Sequence, residues 1–139
     1  MKKLSYALIL TTMSILFYGC PKDVTSTPVV GCMDQDASNY NARATQECDD
    51  CCKYKGALLF WTNIPLACGA ITIDLSNGQE TTIVNYYITS PANCENLAGG
   101  YFYVDEGTYT YTVTTQGGCP IEGGTVVVKG QQCNFKKVI

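Results

Sequence analysis

The sequence predicts an all-β protein: a small antiparallel β-sandwich preceded by a disulfide-rich loop module, with an N-terminal signal-peptide helix ahead of both. Three observations point there. From Lys55 onward, short runs alternate apolar and polar residues and stop at Gly, Pro or Asn, the pattern of half-buried strands and their turns. Four of the nine cysteines fall in residues 31–55 among Asp and Asn, where there is little apolar material for a core. An uncharged, mostly apolar run follows two lysines at the start.

Taking the elements in order, Met1-Lys2-Lys3 leads into fifteen uncharged residues, 4–18, which is the anatomy of a secretory signal peptide. A membrane-spanning helix needs about 20 apolar residues, so residues 1–19 read as a leader and not as an anchor. The Gly19-Cys20 pair that ends the run resembles the lipobox of bacterial lipoproteins, and Phe17 and Tyr18 before it resemble the relaxed boxes of Bacteroidota-type members. The resemblance implies a lipid on Cys20, a new N terminus there and a membrane as partner. Lys22-Asp23 resembles the short signal that sends such lipoproteins to the outer face of the outer membrane. Residues 20–30, rich in Thr, Pro and Val, then read as a semi-extended tether.

With Cys20 set aside, Cys32, Cys48, Cys51, Cys52, Cys68, Cys94, Cys119 and Cys133 remain. An even set in an exported chain reads as a disulfide framework, with about a hundred connectivities open to it. Neighbours Cys51 and Cys52 would bridge each other only through a strained ring. Cys32 is therefore expected to pair with one of them, and the other with Cys48 or with a cysteine of the sandwich. An oxidising envelope disfavours a thiolate zinc site at these spacings.

The module's wording is Gly31-Cys32-Met33-Asp34, Ala37-Ser38-Asn39-Tyr40-Asn41, Asp49-Asp50 and Cys52-Lys53-Tyr54. It resembles a short cysteine-containing motif of Bacteroidota-type surface proteins, to which Cys48 and Cys51 are additions. Asp34, Asp36, Asn39, Asp49 and Asp50 are oxygen donors and form a candidate calcium set, since calcium takes six to eight such ligands. The EF-hand glycine and final glutamate are missing, and Asp and Asn also cap turns through their own backbones.

Residues 56–139 form the sandwich. Strands are expected at 57–63, 71–75, 81–89, 101–104, 107–115, 124–129 and 134–139, with Asn77-Gly78 turning the second into the third. The clearest is 107–115, where Tyr109, Tyr111 and Val113 share one face and four threonines the other. Gly56 to Thr62, Cys68-Gly69, Pro91 to Cys94, Gly107 to Thr112 and Gly124 to Val128 together resemble small C-terminal modules of Bacteroidota-type secreted proteins. They also resemble transthyretin-like, carboxypeptidase-regulatory-like sandwiches, which implies a fold and brings no activity with it.

Composition narrows the function. After residue 19 the chain has seven basic residues against twelve acidic ones, a net charge of −5, which argues against nucleic acid as a partner. Histidine is absent, which removes the usual general base and the Ser-His and Cys-His pairs. Asp105-Glu106 and Glu95 are the carboxylates left for acid chemistry, and neighbouring acids on one loop point apart. The expectation is a non-enzymatic envelope lipoprotein without a cofactor, calcium being the one candidate, that displays its sandwich to another protein or surface. The alternative is a carbohydrate-binding module. Trp61, Tyr86, Tyr87, Tyr101, Tyr103, Tyr109 and Tyr111 are the aromatics from which a sugar platform would come, with Trp61, Tyr86 and Tyr87 favoured because Phe60, Val84 and Ile88 would take the inward positions.

Overall fold

A computed structural model describes residues 27–95 and 98–139. The leader, 1–19, and Cys20 lie outside the described residues. Nine strands and no helix are assigned among the described residues: β1 (Val30–Gly31), β2 (Gln46–Glu47), β3 (Lys55–Trp61), β4 (Ile71–Leu75), β5 (Glu80–Ile83), β6 (Gly100–Asp105), β7 (Gly107–Thr115), β8 (Gly124–Val128) and β9 (Cys133–Lys137). The first two form a short parallel pair inside the cysteine-rich module. The other seven make a three-stranded sheet in the order β6-β3-β9 and a four-stranded sheet in the order β5-β4-β7-β8.

Alternation decides which residues meet between the sheets. Along β6, Phe102 and Val104 are buried while Tyr101, Tyr103 and Asp105 are exposed. Leu58 and Phe60 of β3 join them, opposed by Ile71, Ile73 and Leu75 of β4, Ile83 of β5, Tyr111 of β7 and Val126 and Val128 of β8. Phe60 sits at the middle of this core. Its ring meets Phe102 edge-on at 5.8 Å within its own sheet and Tyr111 at 4.9 Å across from the other.

Strand β7 is as expected, with its tyrosines inward and its threonines at 108, 110, 112 and 114 exposed. At the 77–78 turn only Gly78 has positive φ, 82°, and the Asn77 side chain accepts the Gln79 N–H at 3.1 Å. Several expectations change. Strand β5 stops at Ile83 instead of running to residue 89, because its partner β4 is only five residues long and Ile71 is already paired with Ile83. Val84 and Ile88 are thus left outward, Ile88 at 89% exposure, and do not take inward positions. Strand β3 begins at Lys55, two residues early. The pairing of β3 with β9 is parallel, Ala57 opposite Cys133 through Trp61 opposite Lys137, within an otherwise antiparallel sandwich.

Candidate functional site

The cysteine-rich module is held by its own side chains. Cys32 pairs with Cys52 and Cys48 with Cys51, and the sandwich carries Cys68–Cys119 and Cys94–Cys133. Asn39 closes the loop on both sides: its Oδ1 accepts the Lys53 N–H at 2.8 Å and its Nδ2 donates to the Cys51 carbonyl at 2.7 Å. Asp34 Oδ1 accepts the Asp36 N–H, and Asn41 Oδ1 accepts the Arg43 N–H. The last two are turn-capping bonds of the kind short polar side chains make with nearby backbone, whereas the Asn39 pair reaches across the loop.

The candidate calcium set is not brought together. Asp34 and Asn39 are committed to the bonds just described, and Asp49 and Asp50 sit in the exposed loop between Cys48 and Cys51. Among the described residues no three His, Cys, Asp or Glu side chains gather in a group that could hold a metal ion. Asp34 serves the backbone of its own turn, and Asn39 ties the loop to the backbone at Cys51 and Lys53.

Module and sandwich are joined at Tyr54. Its N–H donates to Glu106 Oε1 at 3.1 Å, its carbonyl accepts the Glu106 N–H at 2.8 Å, and its phenol donates to Asp34 Oδ2 at 2.6 Å. That last bond lowers the Asp34 pKa, with the Asp36 N–H adding to the effect, and it raises the pKa of Tyr54. Glu106, one of the carboxylates considered for acid chemistry, is here a backbone anchor.

The Trp61, Tyr86 and Tyr87 platform of the alternative reading does not form. Trp61 and Tyr87 meet edge-on, 6.3 Å apart at 85°, so they present no common plane. Tyr87 is buried against Leu59 with its hydroxyl accepting the Gly99 N–H at 3.0 Å, while Tyr86 faces solvent on the segment after β5. The cause is the early end of β5. Beyond it the chain crosses to the outer face of the three-stranded sheet, where the Tyr87 N–H donates to the Thr62 carbonyl, and covers the Leu59 end of that face.

The other end of the same face stays open. Register places Ala57 between Tyr103 of β6 and Cys133 of β9, and Leu59 between Tyr101 and Phe135. Over Ala57 and Tyr103 lies a groove of about 590 Å³. Gln131 and Gln132, from the turn before β9, line one side of it. Asp36, Ser38 and Tyr54 of the cysteine-rich module line another, so the groove exists only because the module is fastened to the sandwich. Tyr103 is 56% exposed, and Lys55 Nζ stands 5.7 Å from its ring centroid. Sequence reasoning does not single out Lys55, Gln131 or Gln132, which belong to no motif. Tyr103 was legible, because alternation with Phe102 and Val104 turns it outward.

The chain matches no protein-family model, no curated protein and no solved structure.

Proposed function

We propose that the protein is a non-enzymatic lipoprotein of the cell envelope that displays a small disulfide-stapled sandwich outside the cell. The observation that carries this reading is the pairing of cysteines. Eight of the nine close four bridges, and the ninth is Cys20, placed by the sequence directly after an apolar leader. None of the eight is left to pair with Cys20, which suits a cysteine reserved for lipid. Four bridges in a small domain also suit an oxidising compartment.

Two measurements test the proposal. Intact mass of the native protein should give a chain that starts at Cys20, carries a diacylglyceryl-type increment and lacks eight hydrogens. Replacing Cys20 with Ser should move the protein from the membrane to the soluble fraction. An unlipidated native mass, or a Cys20→Ser variant that stays in the membrane, would overturn the anchor.

A further inference from the structure

The groove between the cysteine-rich module and the sandwich has the make-up of a small-ligand site. Its volume of about 590 Å³ falls in the range of such sites, about 300–1,000 Å³. An exposed aromatic ring lies in the floor beside the small side chain of Ala57, and amides, a hydroxyl and an ammonium surround it. We infer that this groove binds a short, neutral saccharide, stacked on Tyr103 and held through its hydroxyls by Gln131, Gln132 and Lys55.

Three observations favour that occupant. First, an extended peptide usually adds to a free sheet edge and bonds through its backbone. The floor here is the face of β3, whose two edges are already taken by β6 and β9, so recognition falls to side chains. Second, those side chains suit hydroxyl groups. Each Gln amide both donates and accepts, the ammonium donates up to three bonds, and an aromatic ring offers a flat apolar surface. Third, the charge is balanced. The lining holds one ammonium, Lys55, and one carboxylate, Asp36 on the module side, so the groove has no net cationic field for an acidic ligand.

Gln131 adds an independent sign. Its φ is 57°, in the left-handed region where a side chain other than Gly, Asn or Asp is uncommon. Backbone bonds hold it there: its N–H donates to the Lys55 carbonyl at 2.8 Å, and the Ala57 N–H donates to the Gln132 carbonyl at 3.0 Å. Strained non-glycine positions cluster at binding sites, where a side chain is needed at that point. Glycine would satisfy the backbone of this turn, yet the chain has an amide facing the groove.

The inference extends the display reading to a ligand, and it depends on exposure outside the cell and not on the lipid. The mature lipoprotein in detergent, with its thiols confirmed as oxidised, is to be titrated with neutral gluco-, xylo- and manno-oligosaccharides, and in parallel with uronate-bearing ones. Binding to at least one neutral series is expected, with shifts in the side-chain amide resonances of Gln131 and Gln132. Tyr103→Ala should weaken it at least about tenfold. Gln131→Gly should also weaken it while leaving the melting temperature unchanged or higher. Tyr86→Ala, on the surface named in the alternative reading of the sequence, should leave affinity as it is. The proposal fails if no neutral saccharide binds, if uronates are preferred, or if the amides do not shift, an outcome readable even where Tyr103→Ala does not fold. Repeating the titration on Cys20→Ser separates the two readings, since a lost anchor leaves the groove intact.

Discussion

Tyr54 shares its phenol proton with Asp34 across 2.6 Å, and the two titrations are tied together by that bond. The Asp34 pKa lies below its ordinary value because the phenol and the Asp36 N–H both favour the carboxylate. A carboxyl depressed in the folded state contributes stability that is present above the unfolded pKa and is lost as pH falls through the folded one. Tyr54 moves the other way: raised, it contributes below the ordinary tyrosine range and loses that contribution as pH climbs through its folded value. The clasp is therefore complete between acid and alkaline limits. In Tyr54→Phe, an NMR titration should show the Asp34 carboxyl moving up towards the ordinary aspartate value; an unmoved titration would mean the bond is not what lowers it. Asn134 shows how little of this scale is legible in sequence. Its Oδ1 accepts the Lys129 N–H, and its Nδ2 lies within bonding distance of the carbonyls of Ala57, Lys129 and Gln132. It pins the turn beside the groove to β3, yet an Asn two residues past a Gln pair has no spacing that marks it. Asp34 and Asn41 of the module, by contrast, could be read as turn formers, because their bonds to the Asp36 and Arg43 N–H groups reach only two residues along the chain.

Elements were legible where their cause is local. Strand β7 keeps nine residues of strict alternation, and the turn at 77–78 has its signal within two residues. The end of β5 was not legible, since residues 84–89 remain good strand material and what they lack is a partner, which only the length of β4 reveals. The parallel seating of β9 is similarly hidden, because nothing in residues 133–137 states which edge they will join. The same seating puts a demand on β3. A Cβ built on Gly56 would stand 2.3 Å from the Lys129 carbonyl and 2.9 Å from Val128 Cγ1, so the chain entering β9 passes too close for any side chain. Gly56→Ala should therefore destabilise the fold by about 1–3 kcal/mol in urea unfolding, as overpacking does. A variant as stable as the parent would show that the 128–130 segment is free to move away.

For the whole molecule, the bridges divide by span. Cys94 and Cys133 are 39 residues apart and Cys48 and Cys51 only three. In the loop-entropy account, removing the first as a Cys94→Ala, Cys133→Ala pair should cost about 4 kcal/mol, and removing the second as Cys48→Ala, Cys51→Ala about 2. Equal losses would point to native-state packing over chain entropy. The candidate site was half legible at this scale: the outward Tyr103 could be read, but the groove needs residues from 36, 54, 103 and 131 to converge, which only the fold supplies. The parallel pairing of β3 with β9 also sets a timetable. Ala57 waits for Cys133, 76 residues later, and no hairpin can stand in for a parallel neighbour. Until β9 arrives, the growing chain has one bare edge on its most apolar strand, open to pairing with another molecule. The thiol of Cys94 waits beside it for the same partner. Speed of delivery, more than final stability, then decides how much of the protein escapes aggregation.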